Sequence, residues 1–262
     1  MIQQNTGNKE EIIGIKRHCI DTDGVGVRTL VAFHGCLLRC LYCLNPQCHS
    51  SFDKSREMSP EEVMEILKKD ELYFLATNGG VTFGGGEPLL KSEFIAEVLS
   101  LGANKWNTTL ETSLCVERHH MERLLPWIDE YIVDIKDMND RIYQSYTGRR
   151  SELMKSNLQY LIDNGKADRI LCRLPLIPGY NTERDCHWSE YKLIDMGLTR
   201  FETFTYIKMP SAESGIGTSD HCRKTLTLED IRRHKEQKKA LEKFMKEWGK
   251  NTMGKIIDDD EG

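Results

Sequence analysis

Six short aliphatic runs alternate along this chain with stretches whose apolar residues recur at helical spacing, and that alternation restricts the fold more than any single motif does. Residues 28–33, 81–83, 108–111, 131–134, 170–174 and 201–207 read as strands. Helical patterns lie near 92–101, 116–125, 139–164, 183–196 and 228–248. An earlier one opens at Ser59-Pro60-Glu61-Glu62, a capping box with proline at the first helical position, and continues into the apolar stripe Val63, Ile66 and Leu67. Strands that alternate with helices build a parallel sheet with the helices outside it, because a parallel connection needs a crossover. Six repeats point to an α/β fold of the partial (β/α)6 TIM-like barrel kind rather than a doubly wound sheet. The 262 residues lie within the length that α/β barrels reach undivided, and no linker-like stretch splits them. The expectation is one domain over 1–262, with a core at about 12–207, a helical region at about 208–250 and an acidic tail at 251–262.

In such a barrel the working residues come from the carboxyl ends of the strands, and successive residues point to opposite faces. In Tyr131-Ile132-Val133-Asp134-Ile135-Lys136, the polar Asp134 and Lys136 fall on one face. Glu111 and Ser113 share a face with Thr109, and Arg173 lies opposite an apolar set. Any one of these could be an ordinary solvated strand end. Their recurrence on three consecutive strands is what a polar site at a barrel mouth looks like in sequence.

Directly after the first strand comes Gly35-Cys36-Leu37-Leu38-Arg39-Cys40-Leu41-Tyr42-Cys43, three thiols at C-x3-C-x2-C spacing. A structural zinc site wants four protein ligands and a self-contained four-iron cluster wants four cysteines, so three leave one coordination position open for chemistry. Positions 36, 40 and 43 would also line one face of a helix, but Gly35 before them, Pro46 behind and leucines at 37 and 38 on other faces favour a loop wrapped around a metal. Cys48-His49 is an alternative completion of the set as a zinc site. Otherwise Cys48 counts with Cys19, Cys115, Cys172, Cys186 and Cys222 as scattered singles whose default is to be buried or inert. The start of the chain is polar, with no apolar signal segment, and no run approaches the length of a membrane span, so the expectation is a cytoplasmic protein with reduced thiols and no membrane partner. A balance of 36 basic to 41 acidic residues, net −5, gives no general signal for nucleic acid. The run Gly84-Gly85-Gly86-Glu87-Pro88 lacks the Lys-Ser/Thr of a P-loop and the spacing of a dinucleotide turn. Its glycines offer a backbone that the amino group of a small zwitterion can approach.

Taken together these residues carry a resemblance. Cys36-x3-Cys40-x2-Cys43 with Tyr42, followed by Gly85-Gly86-Glu87-Pro88, resembles the radical S-adenosylmethionine (SAM) superfamily. Asp23-Gly24-Val25-Gly26-Val27-Arg28, Phe33-x-Gly35-Cys36 and Cys43-x-Asn45-Pro46 are similar to the glycyl-radical-enzyme activating enzymes of the formate-lyase-activating type. The likeness continues through Glu111-Thr112-Ser113, Asp134-Ile135-Lys136 and Arg173-x-Pro175-x-Ile177-Pro178-Gly179, and covers about 12–207. It implies that Cys36, Cys40 and Cys43 bind three irons of one [4Fe-4S] cluster while SAM takes the fourth. It places Tyr42 near adenine and Gly84, Gly85, Gly86 and Glu87 at the amino group. Glu111, Thr112, Ser113, Asp134, Lys136 and Arg173 would serve the methionine carboxylate or the ribose, directly or through a monovalent cation, and Asp23 would lie beside the incoming glycyl peptide. The implied partners are a glycyl radical enzyme as protein substrate and a flavodoxin or ferredoxin as electron donor.

The chain also departs from the family pattern. Leu44 follows the third cysteine where relatives often carry histidine, and Ile207 follows Tyr206 where they carry another, so Lys208 would substitute there or the contact is absent. Between Cys43 and Gly84 only Cys48 occurs, so the auxiliary clusters of many relatives are not expected. After Ile207 the likeness fades, and Leu241, Phe244, Met245 and Trp248 within the basic segment 232–250 suit a docking helix. Two other functions share part of this pattern. A radical SAM enzyme acting on a small molecule or peptide would keep every cofactor residue, and a non-catalytic iron–sulfur or zinc protein would keep only the cysteines.

Overall fold

A computed structural model describes residues 8–20, 24–49, 55–102, 105–208, 216–240 and 242–243. The chain forms two compact units, Met1–Lys224 and Thr225–Gly262. The first carries nearly all the sheet. Its strands are β1 (Glu10–Ile20), β2 (Val27–Phe33), β3 (Arg56–Met58), β4 (Gly80–Gly85), β5 (Asn107–Thr112), β6 (Glu130–Asp134), β7 (Ile170–Leu176), β8 (Arg200–Lys208) and β9 (Ile216–Thr225). Their spatial order is β3-β1-β2-β4-β5-β6-β7-β8-β9. The run from β2 through β4 to β8 is parallel throughout, and β1 pairs antiparallel with both β2 and β3. The sheet ends on β3 and β9 without closing on itself, which makes the six parallel strands the partial barrel that the sequence implies.

The helices are α1 (Pro60–Lys68), α2 (Glu71–Thr77), α3 (Ser92–Ser100), α4 (Arg118–Leu124), α5 (Asp140–Thr147), α6 (Glu152–Asp163) and α7 (Glu183–Asp195). Ser59 caps α1, its hydroxyl accepting from the Glu62 amide while the Glu62 side chain accepts from the Ser59 amide. The long pattern at 139–164 is two helices. Gly148 stops α5 in a left-handed conformation at φ +73°, its amide donating to the Gln144 carbonyl, and a side chain there would be strained. Phe33, Val81, Phe83, Leu110, Val133, Cys172 and Phe201 are fully buried along consecutive strands. In the second unit, residues 228–240 are helical, and Arg232–Glu236 and Arg233–Glu229 pair along the exposed face. Leu241, Phe244, Met245, Trp248 and the acidic tail lie outside the described residues. No described helix is long and apolar enough to cross a membrane.

Strand β1 is held by a buried carboxylate rather than by its own apolar pattern. Asp70, between α1 and α2, is fully buried, yet accepts from Arg17 Nε at 2.9 Å, His18 Nε2 at 2.9 Å and Thr29 Oγ1 at 2.7 Å. Burial works to raise its pKa, but the hydrogen bonds from Arg17 and Thr29 outweigh it and hold the group at about 2. A carboxylate depressed in the folded state contributes stability that is full above the unfolded value, about 3.9, and fades as pH falls toward 2. Asp70→Asn is therefore expected to cost about 2 kcal/mol near neutral pH. The difference from the parent should shrink in urea titrations between pH 4 and pH 2. An equal gap at both ends would show that packing, not charge, sets the cost.

Candidate functional site

Strand β2 delivers the chain into a tight loop that carries the thiols inward. Among residues 36–45 there is no helix but a turn at Leu41–Tyr42, and a short 3-10 segment, Pro46–His49, follows. The loop is closed by its own backbone: the Gly35 amide donates to the Cys48 carbonyl at 2.9 Å, and the Cys48 amide to Asn45 at 3.0 Å. It is tied to the barrel by the Arg39 amide, which donates to the Thr147 carbonyl at 2.8 Å. Cys36, Cys40 and Cys43 line one cavity, and Cys48 joins them there. The sulfurs of Cys43 and Cys48 and a ring nitrogen of His49 lie within 4.8 Å of one another, so the pair that the sequence offered as an alternative completion does reach the third cysteine. Burial pushes the Cys36 and Cys40 thiols up to about 12 and about 11. The Cys48 hydrogen bond draws Cys43 down to about 6 and leaves the proton on Cys48, whose own pKa is raised.

The glycine run fastens this loop to the sheet. Gly86 donates its amide to the Phe33 carbonyl at 2.9 Å, Glu87 donates to Gly35 at 2.7 Å, and Asn45 Nδ2 donates to the Gly85 carbonyl at 3.1 Å. A Cβ at Gly86 would stand 2.2 Å from the Gly35 oxygen, a backbone atom with no room to yield. Gly85 and Gly86 line the cavity, whereas Gly84 packs against Leu30 and the Glu111 stem. The Glu87 side chain is buried at 1 % exposure and faces protein on every side. Its carboxylate accepts from Thr112 Oγ1 at 2.6 Å, Ser113 Oγ at 2.6 Å, the Ser113 amide at 2.9 Å and the Leu89 amide at 3.2 Å. Burial raises its pKa against those donors. Glu87, Thr112 and Ser113 thus form one buried clasp joining the ends of β4 and β5.

The polar strand ends meet, but not all by strand alternation. Strand β6 stops at Asp134, and Lys136 lies beyond it at φ +61°, a conformation that turns its side chain back so that Nζ reaches Asp134 Oδ2 at 2.8 Å and Tyr206 OH at 3.3 Å. The strand expected over 131–134 is present, but the alternation read on to Lys136 is corrected: a left-handed residue, not a pleat, brings Lys136 to Asp134. Burial raises the Asp134 pKa, but the charges of Lys136 and Arg173 prevail and hold it below the usual range. Burial likewise lowers Lys136, and Asp134 more than offsets it. Arg173 Nη1 pairs with Glu111 at 2.6 Å and Nε with Glu202 at 3.0 Å, Glu202 being 3 % exposed. Glu202 also meets His221 and Arg223 of β9, each at 3.1 Å. Tyr42 stacks on Tyr206, with centroids 5.9 Å apart and planes 24° apart.

Glu111, Thr112, Ser113, Asp134 and Lys136 therefore share the cavity with the three cysteines, while Arg173 acts on it through Glu111. Glu202, Asn45 and Tyr206 are additions that the sequence pattern did not single out as site residues. Glu202 is the third residue of β8 with no motif around it, and its pairing with Arg173 reveals it. Asp23 and the Lys208 side chain lie outside the described residues.

An all-thiolate donor set suits iron–sulfur ligation. Beside it, Asp134 Oδ1 is buried without a hydrogen-bond partner within the protein and Asp134 lines the same cavity, so it can accept from a polar ligand or water or meet a cation. The residues fit a cluster flanked by a zwitterion.

Comparison with known proteins gives the same picture. The sequence model of the family described as the Radical SAM superfamily matches residues 30–185. A pyruvate formate-lyase-activating enzyme of Staphylococcus aureus is 34 % identical over 170 residues, covering 62 % of this chain and 67 % of the relative. Among solved structures, Streptococcus suis SuiB bound to S-adenosylmethionine aligns with a TM-score of 0.54 at 17 % identity, over 79 % of this chain and 47 % of that one. A radical SAM methyltransferase from Sphaerobacter thermophilus aligns with a TM-score of 0.51 at 17 % identity, over 85 % and 73 %. At that identity the structural likeness is one of fold.

Proposed function

This chain belongs to the radical SAM superfamily, and from that premise we propose that it activates a partner glycyl radical enzyme by removing a hydrogen atom from one backbone glycine of that partner. Its cofactors are one [4Fe-4S] cluster and SAM. Once reduced, the bound pair supplies a 5′-deoxyadenosyl radical able to take hydrogen from an unactivated carbon.

The chain's own residues bind, orient and shield. Cys36, Cys40 and Cys43 hold the cluster, and the clasp of Glu87 with Thr112 and Ser113 keeps β4 and β5 at the spacing that the cavity needs. Gly85 and Gly86 would present bare backbone to the amino group of SAM, and Lys136 would offer a positive charge to its carboxylate. Asp134 Oδ1, buried without a hydrogen-bond partner, would accept from that amino group or meet a monovalent cation. Tyr42, stacked on Tyr206, lines the cavity and would lie against the adenine. No acid–base pair is called for, because the work is placement: water is excluded and one Cα–H is held in line. Glycine suits this, carrying two hydrogens on Cα and no side chain to block approach. An acidic flavodoxin or ferredoxin supplies the electron.

The observation that carries the choice of substrate is the 34 % identity to a pyruvate formate-lyase-activating enzyme over 170 residues, 62 % of this chain. Anaerobic reconstitution is expected to give about four iron and four sulfide per chain. With dithionite the protein should convert SAM to 5′-deoxyadenosine, and with the correct partner a glycyl doublet should appear by electron spin resonance. SAM cleavage with no doublet on any glycyl radical enzyme would move the assignment to a small molecule or peptide. Zinc without sulfide would end it.

A further inference from the structure

We propose that the outer surface of the cysteine loop is the docking site of an acidic one-electron carrier protein; the inference rests on the radical SAM reading above and locates where the electron enters. Each cysteine of the motif is followed by an exposed leucine: Leu37 is 38 % exposed, Leu41 61 % and Leu44 43 %. The loop turns its thiols into the cavity and keeps Leu37 and Leu41 outside it, while Leu44, also exposed, stands at the cavity's lining. A leucine exposed singly needs no explanation, but two outside the cavity on one short loop, with a third at its lining, do.

Around them stand arginines. Arg39 lies within the loop, exposed, with Nη1 2.5 Å from His49 Nδ1. The α5–α6 connection is drawn onto the same surface by the Arg39–Thr147 backbone bond and by Arg149, whose Nε donates to the Leu37 carbonyl at 3.1 Å. Arg150 follows, its partner being Glu152 in a pair exposed by 77 % and 60 %, which solvent screens. A basic rim on a chain of net charge −5 runs against the overall field, and local charge of that kind steers an oppositely charged partner. A small apolar centre with a charged rim also suits the brief encounters of electron-transfer proteins, which bury little area.

The occupant follows from what the surface offers. The glycine substrate has to enter the cavity to meet the reacting carbon, whereas an electron only needs a short path to the irons, and each leucine is one bond-linked residue from a cluster ligand. In the step itself one electron leaves the reduced cofactor of the carrier and enters the cluster; no bond forms and no proton moves.

The test compares the holoenzyme with its Arg39→Glu/Arg150→Glu variant, neither residue belonging to the cavity. Reduced flavodoxin is the probe, with dithionite as the reductant that needs no docking surface. Flavodoxin binding by titration calorimetry and flavodoxin-driven 5′-deoxyadenosine formation should each fall at least tenfold. The dithionite-driven rate should stay within twofold of the parent. In the parent, the flavodoxin-driven rate should drop steeply between 50 and 300 mM salt and the dithionite-driven rate should not. Unchanged flavodoxin binding overturns the proposal, as does loss of glycyl-radical-enzyme binding with carrier binding intact, which would assign the patch to the substrate. A parallel fall of both rates in the variant, together with a salt-indifferent parent, overturns it too. Absence of any SAM cleavage by the parent with dithionite would instead strike the radical SAM reading, and the binding measurement would still decide the docking surface.

Discussion

Alanine at Cys36, Cys40 or Cys43, one position at a time, is expected to lower the iron retained after anaerobic reconstitution from about four per chain to below about one, and SAM cleavage by at least about a thousandfold. The circular dichroism of these variants should match the parent, because the loop is fastened by backbone bonds from Gly35, Arg39 and Cys48 and not by its thiols. The informative contrast is with the neighbouring ligands. Cys43, Cys48 and His49 lie within 4.8 Å of one another and, with a water as fourth ligand, would hold zinc without help from Cys36 or Cys40. A zinc protein would therefore lose its metal in Cys48→Ala and His49→Ala and keep it in Cys36→Ala and Cys40→Ala. The cluster assignment requires the reverse order, with near-full iron in Cys48→Ala and His49→Ala. Iron and zinc content by mass spectrometry separates the two, independently of any assay of turnover.

The parallel strands were legible because burial on both faces makes them continuous apolar runs, and each of the six lies within a few residues of its expected bounds. What escaped was structure whose cause is distant in sequence. Strand β1 carries Lys16-Arg17-His18 in its middle and two breaks in its register with β2, and is fixed by Asp70 some fifty residues on. Helix α2 inverts the amphipathic rule, with Phe74 buried while Leu72 is 81 % exposed, so no apolar stripe announced it. Strand β9 is exposed along its second half and shows no alternation at all. The site divides in the same way. That Glu111, Asp134 and Arg173 are polar ends of apolar strands is a local property and could be read directly. That Arg173 is held between Glu111 and Glu202, and that Lys136 turns back on Asp134 through a left-handed residue, are properties of register and backbone angle. Glu87 is the sharpest case, since its place in a motif suggested contact with a ligand, while its four donors show a carboxylate spent on holding two strands together.

Gly86→Ala should be nearly as damaging as loss of a cysteine, although it removes no ligand. The added Cβ would lie 2.2 Å from the Gly35 carbonyl oxygen, 2.9 Å from its carbon and 3.1 Å from the Phe33 oxygen. All three are backbone atoms, so no rotamer change relieves the overlap; the end of β4 and the start of the cysteine loop have to part. Two hydrogen bonds span that gap, from the Gly86 amide to Phe33 and from the Glu87 amide to Gly35, and both lengthen as it opens. Overpacking of this kind costs about 1–3 kcal/mol, and two weakened bonds add about 1 kcal/mol each. The functional effect should exceed the loss of stability, because Gly35 immediately precedes Cys36 and its displacement moves the first thiol relative to the other two. The expected result is a folded protein with a lower urea midpoint, less than half the parent's iron and SAM cleavage reduced at least about a hundredfold. Gly14→Ala supplies the control, since nothing stands within 4 Å of a Cβ there. It should leave midpoint, iron and turnover at the parent's values. If Gly86→Ala retained full iron and raised only the concentration of SAM needed for half-maximal rate, the glycine would be acting as a cradle for the ligand and not as the seam that holds the cysteine loop in place.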